Sequence, residues 1–537
     1  MSTTPTFALL GNATSLPWAE VPEWPVAAFV DDTAAELERG ARLCAWFGVP
    51  EGASVRLVAV LAYDTDNTLA VGRSEPVTGR YPALTLRCAQ AHLFEREVWE
   101  QHGVVPSGHP WLKPVRQLFA EETEKEETEK EETAKRRNGE TANSPSRRPA
   151  DSPIRRFADP PIRRFADSPI HFFQVEGDEI HEVAVGPVHA GIIEPGHFRF
   201  QCNGEEVLHL EIALGYQHRG VEEALAGGPH RATLSQMETA AGDSTIAHAT
   251  AHALVREALA GVEPPLRAQW LRALALELER LANHTGDLGA LANDVAFLPT
   301  SAACGKIRGD FLNLTALICG NRFGRGLVRP GGCRHELESE RARQLGERLR
   351  AALAELDEAA GWLWDASSVR ARFEGTGCVS DEQAAGVGLV GPAARACGLV
   401  RDVRYDHPAG WHRFAQVPVA VWPGGDVFAR ARVRWLEAQR AGKFIEEQLD
   451  APPEGALQTE VGPAAADTLA VALVEGWRGE TCHVALTDAS GRFRRYKIVD
   501  PSFHNWTGLA LALRGQAISD FPLCNKSFNL SYCGFDL

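Results

Sequence analysis

Between Gly186 and Phe200 the chain reads GPVHAGIIEPGHFRF, which sets His189, Glu194 and His197 among several turn-forming glycines and prolines. Imidazole and carboxylate groups are the usual proton carriers near neutral pH. A Gly/Pro-rich hairpin tip is a place where a rigid sheet presents such groups to a cleft. A tight turn with hydrogen-bonded polar side chains fits the same spacing, and spacing alone leaves both readings open. His248 and His252 stand four apart, on one face if the segment is helical. H-E-x-x-H is absent and no third ligand is apparent, so two hydrogen-bonded histidines are the simpler reading than a metal pair. Gly386 to Gly391, GVGLVG, fits G-x-G-x-x-G. Helix-like SDEQAA precedes it in place of a strand and Pro392 follows, so it reads as a turn between helices, not a phosphate cradle.

Cysteine usage narrows the chemistry. The chain has 11 cysteines, and the closest two, Cys524 and Cys533, are nine apart with no C-x-x-C anywhere. Zinc ribbons and thioredoxin-like motifs need close pairs. Scattered cysteines read as reduced core residues of a cytoplasmic protein.

The elements that must position these groups fall into two blocks. Residues 1–116 carry an α+β pattern: DTAAELERGARLCAWFGV reads as an amphipathic helix, SVRLVAVLAYD and ALTLRC as strands. Residues 117–173 hold the acidic tract EETEKEETEKEET and then ADSPIRRF, ADPPIRRF and ADSPIHFF in succession. Such sequence buries little and repels itself, which predicts a flexible linker. Residues 174–537 begin with strand-like runs around Asn203-Gly204, a hairpin signal. Helical segments follow at 246–260, 265–287, 335–365 and 427–449, and CHVALTDASGRFRRYKIV reads as a further hairpin. The expected fold is α+β: a small N-terminal α+β domain, then a mainly helical domain with small antiparallel sheets.

At 537 residues there is room for two to four domains of roughly 150 residues each. The formal net charge of -16 lacks the basic footprint of a nucleic-acid binder. No window offers the 18 or so consecutive apolar residues of a membrane helix. The first residues, MSTTPTFALLGNATSLPW, carry no basic segment with a long apolar core, so no secretory signal is read there.

GPVHAGIIEPGHFRF and GYQHRGVEEAL (215–225) resemble the large subunit of energy-converting NiFe hydrogenases and the D-type subunit of NADH-quinone oxidoreductase, complex I. More blocks agree in family order: ELERLANHTGDLGAL (277–291), GNRFGRGLVRPGG (320–332), VGPAARACGLVRDVRYDHP (390–408), GDVFARARVRWLEA (425–438), EGWRGE (475–480) and DPSFHNWTGLALALRGQAISDFPL (500–523). RCAQAHLFEREVWEQHGVVPSGHPWLKPVR (87–116) is similar to the C-type subunit of complex I. The resemblance therefore implies a fusion of C-like and D-like parts.

Departures from the family bear on the chemistry. A NiFe centre is held by four thiolates from two C-x-x-C pairs, soft sulfur suiting those metals. In METAAGDSTIAH the first pair's positions hold Ala241 and Ser244; in KSFNLSYCGFDL the second pair's hold Ser531 and Gly534. DPSFHN (500–505) matches a different block and is a decoy for the second pair. The resemblance thus implies no NiFe centre and no metal in this chain. In the D-type subunit of complex I the vacated cavity takes quinone through a tyrosine and a histidine. Here His189 matches the histidine region, Gly242 the tyrosine, and Asp243 is a polar neighbour. Glu194 resembles the glutamate that passes protons in hydrogenases, and Arg478 an arginine that overhangs the metal. His248 completes the candidate cavity. With His189 and Glu194, Asp243 is expected to share one cleft, in which burial and like charge raise at least one carboxyl pKa.

The resemblance implies an oxidoreductase complex subunit on the cytoplasmic side of the cell membrane, peripheral, with quinone as a candidate ligand. It implies as partners an iron–sulfur small subunit bearing a 4Fe–4S cluster and antiporter-like membrane subunits; NAD binding falls to another subunit, and no nucleic acid is expected. The alternative is a non-catalytic coupling subunit of an ion-translocating complex.

Overall fold

The computed structural model describes residues 6–116, 172–188 and 194–537. The expected linker lies outside the described residues except for Phe172 and Phe173, and His189 lies outside them too.

The first part comprises β1 (Ala8–Leu10), β2 (Thr14–Pro17), β3 (Glu23–Trp24), α1 (Val26–Glu38), β4 (Arg42–Glu51), β5 (Ser54–Tyr63), β6 (Thr68–Ser74) and α2 (His92–His102). Its sheet runs β1-β6-β5-β4, with β3 parallel on β6. α1 buries Phe29, Val30, Thr33, Ala34 and Leu37, a single helical face. The helix expected to run on through Val49 stops at Glu38, and Arg42–Glu51 is a strand. Leu43, Cys44, Ala45, Trp46 and Phe47 are buried in succession, because this strand is covered on both faces. A continuous apolar run of that length does not distinguish strand from helix. ALTLRC is not a strand either: Leu84–Leu86 forms one turn of 3-10 helix. The Glu95 carboxylate on α2 accepts the Leu84 and Thr85 N–H groups at 2.8 and 2.9 Å, which removes them from any ladder.

The second part opens with β7 (Ile180–Val185), β8 (His197–Asn203) and β9 (Glu206–Ala213), an antiparallel sheet in the order β9-β8-β7. The hairpin expected at Asn203-Gly204 forms, with Asn203 paired to Glu206, Gly204-Glu205 as the two-residue turn and Gly204 at φ +58°. The helices are α3 (Thr245–Ala260), α4 (Leu266–Asp294), α5 (Leu298–Cys319), α6 (Ser339–Asp365) and α7 (Val427–Asp450). α5 is not foreseen from sequence because its Gly, Ser and Thr residues leave no clear apolar stripe. The hairpin β10 (Thr468–Gly476), β11 (Gly479–Thr487) and β12 (Phe493–Val499) precede α8 (Pro501–Ala512) and α9 (Phe521–Phe528). The result is the mixed α+β architecture expected, with α3 packed on the β10–β11 hairpin and α4 packed against α7.

The two parts share one core. β2 pairs antiparallel with β10, so a strand from the chain start completes the sheet β12-β11-β10-β2. A single hydrophobic cluster runs from Leu10 to Leu537. Buried ions cross the same boundary: Lys497 Nζ donates to Glu97 at 2.6 and 2.7 Å, and Arg42 to Glu480 at 2.8 Å. Lys497 is 0 % and Glu97 1 % exposed, so each charge is tolerable there only with its partners, which include Glu222 for Lys497 and Arg116 for Glu97. A protease cut within 117–171 is therefore expected to leave fragments that co-elute on gel filtration. Glu97→Gln should cost about 3 kcal/mol of stability, read by denaturant melts; separation of the nicked wild-type fragments under native conditions would refute the shared core.

Candidate functional site

The β10–β11 hairpin closes through a two-residue turn, Trp477-Arg478, with Gly476 paired to Gly479. The turn aims a buried guanidinium at the segment before α3. Arg478 binds both carboxylate oxygens of Asp243, with Nη2 at 2.8 Å from Oδ2. Its Nε donates to the Asn529 carbonyl at 2.6 Å, and Nη1 lies 3.4 Å from Ser244 Oγ. Trp477 Nε1 donates to the Asp243 carbonyl at 3.0 Å. The glycine motif at 386–391 contributes here by packing: Gly391 has φ +65°, and a Cβ on it would clash with the Arg478 carbonyl oxygen. No phosphate cradle forms, and the segment joins two short helices as expected.

The C-terminal turn, Tyr532–Phe535, arrives from the other side. Ser531 Oγ caps it by accepting the Gly534 N–H at 2.9 Å. Glu194 Oε2 accepts the Tyr532 N–H at 3.2 Å. Arg219 clips the two segments together, donating to the carbonyls of Ala240 at 2.7 Å and Cys533 at 3.1 Å. The residues at 241–244 and 531–534 thus converge around Arg478 and Arg219. Burial, reinforced by the Glu194 charge, raises the Cys533 thiol above its ordinary pKa, which keeps it protonated near neutral pH.

Asp500 stands behind this turn. It caps α8 by accepting the Ser502 N–H at 2.8 Å, and its Oδ2 lies 3.1 Å from His248 Nε2. Burial alone would raise its pKa, but the His248 hydrogen bond and the Arg478 charge hold it below the ordinary value. A Cβ on Gly534 would fall 2.7–2.9 Å from the Asp500 carboxyl atoms. A cysteine at 534 has no room while that carboxylate is in place. With Ala241, Ser244 and Ser531 at the other three positions, the donor set does not fit a NiFe centre.

Of the residues singled out in sequence, Glu194, Gly242, Asp243 and Arg478 are gathered here. Gly242 is exposed, and a side chain added there would meet nothing within 4 Å. Asp243 and Glu194 have separate partners, Arg478 and the Tyr532 N–H. His248 is 0 % exposed and sits in the core, bonded at both ring nitrogens, with no open face toward a cavity. Two further residues belong to the site without a signal in the sequence that places them there: Asp500, which sits in the decoy block, and Arg219. The D-P at 500–501 is a legible helix-start signal, but nothing in sequence brings it to Gly534. Two nearby carboxyls are shifted upward. Asp536 reaches about 6, chiefly by burial and with Glu194 adding to it, although it accepts the Gly215 and Gln217 N–H groups. Glu279 on α4 is pushed up to about 8 by burial, despite accepting the Ile246 N–H, and the Asp243 charge adds to the shift.

A mixed α+β chain with a hairpin arginine over two converging peptides defines the class that the sequence comparisons then specify. Residues 24–132 match the family of the respiratory-chain NADH dehydrogenase 30 Kd subunit and residues 294–468 that of the 49 Kd subunit. Formate hydrogenlyase subunit 5 of Escherichia coli (strain K12) is 31% identical over 363 residues, 66% of this chain and 63% of that protein. The chain therefore spans less than two thirds of that relative's length. The carbon monoxide-induced hydrogenase of Rhodospirillum rubrum is 29% identical, covering 65% of this chain and 97% of its own. An NADH-quinone oxidoreductase subunit of Roseiflexus sp. (strain RS-1) is 28% identical, at 65% and 96%. A chain in the solved structure of the membrane-bound sulfane sulfur reductase, an archaeal respiratory membrane complex, shares the fold at a TM-score of 0.62 and 24% identity, over 67% of this chain and 99% of its own. The protein belongs to the complex I- and hydrogenase-related large subunits, as a fusion of C-like and D-like parts.

Two outcomes test this geometry. Gly534→Ala should cost about 1–3 kcal/mol through overpacking against Asp500, whereas Gly242→Ala leaves the melting temperature unchanged; equal effects would refute the placement of Asp500. For Asp536 the folded pKa lies above the ordinary 3.8, so the folded state keeps a proton that the unfolded chain loses. Its burial penalty is absent below pH 3.8, grows toward pH 6, and is complete above it. Asp536→Asn should therefore gain stability relative to wild type between pH 4 and 7, by up to about 3 kcal/mol, measured as the difference between parallel denaturant melts.

Proposed function

We propose that this chain is the large subunit of a membrane-associated, complex I/hydrogenase-related oxidoreductase. Its cavity, formed by Glu194, Gly242, Asp243 and Arg478, serves quinone or proton transfer without nickel. The observation that carries this reading is the replacement of the four thiolate positions by Ala241, Ser244, Ser531 and a Gly534 hemmed in by Asp500. In their place stands a carboxylate–guanidinium pair that is part open, the Asp243 side chain being 34% exposed. A quinone oxygen acquires negative charge on reduction, and a fixed guanidinium with a nearby proton donor is the electrostatic complement of that charge. The open space at Gly242 leaves room for a ring where a tyrosine would otherwise stand.

On this reading residues 1–116 form the C-like domain and 174–537 the D-like domain. The partners are an iron–sulfur small subunit with a 4Fe–4S cluster and antiporter-like membrane subunits, on the cytoplasmic side of the membrane. Among the described residues no helix is long and apolar enough to cross a membrane, which agrees with peripheral attachment through partners. His189 joins Glu194 and Asp243 as a proposed contributor to the cleft.

The test is made on the purified native complex. It should contain no stoichiometric nickel and should show inhibitor-sensitive quinone turnover. Asp243→Asn should reduce that turnover at least tenfold, with assembly unchanged on native gels. One nickel per chain that survives chelation would overturn the metal-free cavity. Wild-type quinone turnover in Asp243→Asn would remove Asp243 from the mechanism, and loss of ion transport with no quinone turnover in wild type would favour the coupling-subunit alternative.

A further inference from the structure

Behind the cavity lies a row of polar side chains that the proposed site does not use. His248 Nε2 faces Asp500 Oδ2 at 3.1 Å, and its Nδ1 lies 3.1 Å from Nε2 of His483 on β11. His483 Nδ1 is 3.0 Å from Tyr496 Oη on β12. The same hydroxyl is 3.0 Å from Nδ1 of His252, one turn along α3 from His248. None of the five is more than 2 % exposed. A buried row of this kind must satisfy each link with one donor and one acceptor.

That requirement fixes the protons. Asp500 is an ionised acceptor, so His248 carries a proton on Nε2. If His248 is neutral, its Nδ1 is bare and must accept from His483 Nε2–H. His483 Nδ1 is then bare and accepts from the Tyr496 hydroxyl, whose oxygen accepts from His252 Nδ1–H. If His248 is protonated at both nitrogens, every link reverses: His248 Nδ1–H donates to His483 Nε2, His483 Nδ1–H to Tyr496 Oη, and Tyr496 O–H to a bare His252 Nδ1, leaving the His252 proton on Nε2. The two self-consistent states differ by one proton.

We propose that His252, Tyr496, His483, His248 and Asp500 form a one-proton wire, in which a proton taken up at His252 Nε2 appears as charge on His248 beside Asp500. This deepens the proton-transfer reading of the cavity and rests on it. Each proton moves one link: from His252 Nδ1 to Tyr496 Oη, from Tyr496 Oη to His483 Nδ1, and from His483 Nε2 to His248 Nδ1. No other bond is made or broken, and the charge ends where a carboxylate faces it. Burial holds His252 down to about 3 and His483 well below its ordinary value, so neither stores the charge itself. The charged and titratable groups facing the row are Arg256, toward His252 and Tyr496, Cys482, toward Tyr496, and Arg478 and His504, toward Asp500. The stored proton then sits behind Gly534, one side chain from the turn that bears Cys533.

The experiment uses the full-length chain with 15N-labelled histidine rings, followed by NMR as the pH is lowered through the range in which the fold survives. Protonation of His248 at Nδ1 should be accompanied, one for one, by a switch of His252 from Nδ1–H to Nε2–H. In Tyr496→Phe the row is cut, and His252 should keep its tautomer while His248 titrates. The proposal is overturned if wild-type His252 does not switch as His248 charges, if His248 never becomes doubly protonated in the folded chain, or if the switch survives in Tyr496→Phe. Should that variant not fold, the wild-type titration decides alone. No turnover is measured, so failure here leaves the quinone reading standing, and loss of quinone turnover leaves this result unaffected.

Discussion

A buried guanidinium must spend all its donors on acceptors, and Arg478 is placed where this requirement organises the site. It is 7 % exposed at the tip of a two-residue hairpin. Its acceptors are Asp243, Ser244 and the Asn529 carbonyl, which belong to two segments far apart in sequence. Leaving such a charge unpaired costs several kcal/mol, so these segments are held together by the arginine. In the hydrogenase pattern that the sequence resembles, thiolates on both segments would share a metal. Here the cross-link is made by Arg478 and, one layer away, by Arg219. The site keeps its shape through charge pairing.

The arginine is in turn positioned by a rigid layer behind it. Arg280, Arg395, Arg404, Glu277, Asp402, Glu437 and Glu475 are all at most 3 % exposed. They form a connected ionic network: Arg395 bridges Glu437 and Glu475, Arg404 bridges Glu277 and Asp402, and Arg280 donates to the carbonyls of Glu475 and Gly476. Apolar residues of equal volume would commonly be no less stabilising in such a place. The network does supply register. It fastens the end of β10 to α4 and α7 immediately before Trp477 and Arg478, and so fixes where the hairpin tip falls. Lys497 and Glu97 fasten the first part to the same sheet on its other side.

Much of this was legible from the chain. Asn203-Gly204 announced its hairpin, and the apolar stripes of α3, α4, α6 and α7 gave their helices, because turn chemistry and periodicity are local properties. Leu43 to Phe47 misled, since a run buried on both faces carries no period. Leu84–Leu86 misled because a distant carboxylate, Glu95, took its N–H groups. At the site, family order gave the four substituted ligand positions and pointed to Arg478 and Asp243. It gave neither their pairing across 235 residues nor the contact of Asp500 with Gly534. Those are facts of proximity between segments, and no residue type or spacing encodes them.

The contact between Asp500 and Gly534 ties the altered ligand position to the buried polar row. Asp500 can lie against the C-terminal turn only because position 534 has no side chain. Lying there, it meets His248, and a carboxylate at that end is what makes a charged His248 tolerable in a fully buried place. Without it, His248 would have one nitrogen unpaired, and the links through His483, Tyr496 and His252 would lose the end that orients them. The glycine that removes a thiolate from the cavity therefore also makes space for the acceptor on which the row depends. Residue 534 bears both on the side chains available at the C-terminal turn and on the polarity of the core behind it.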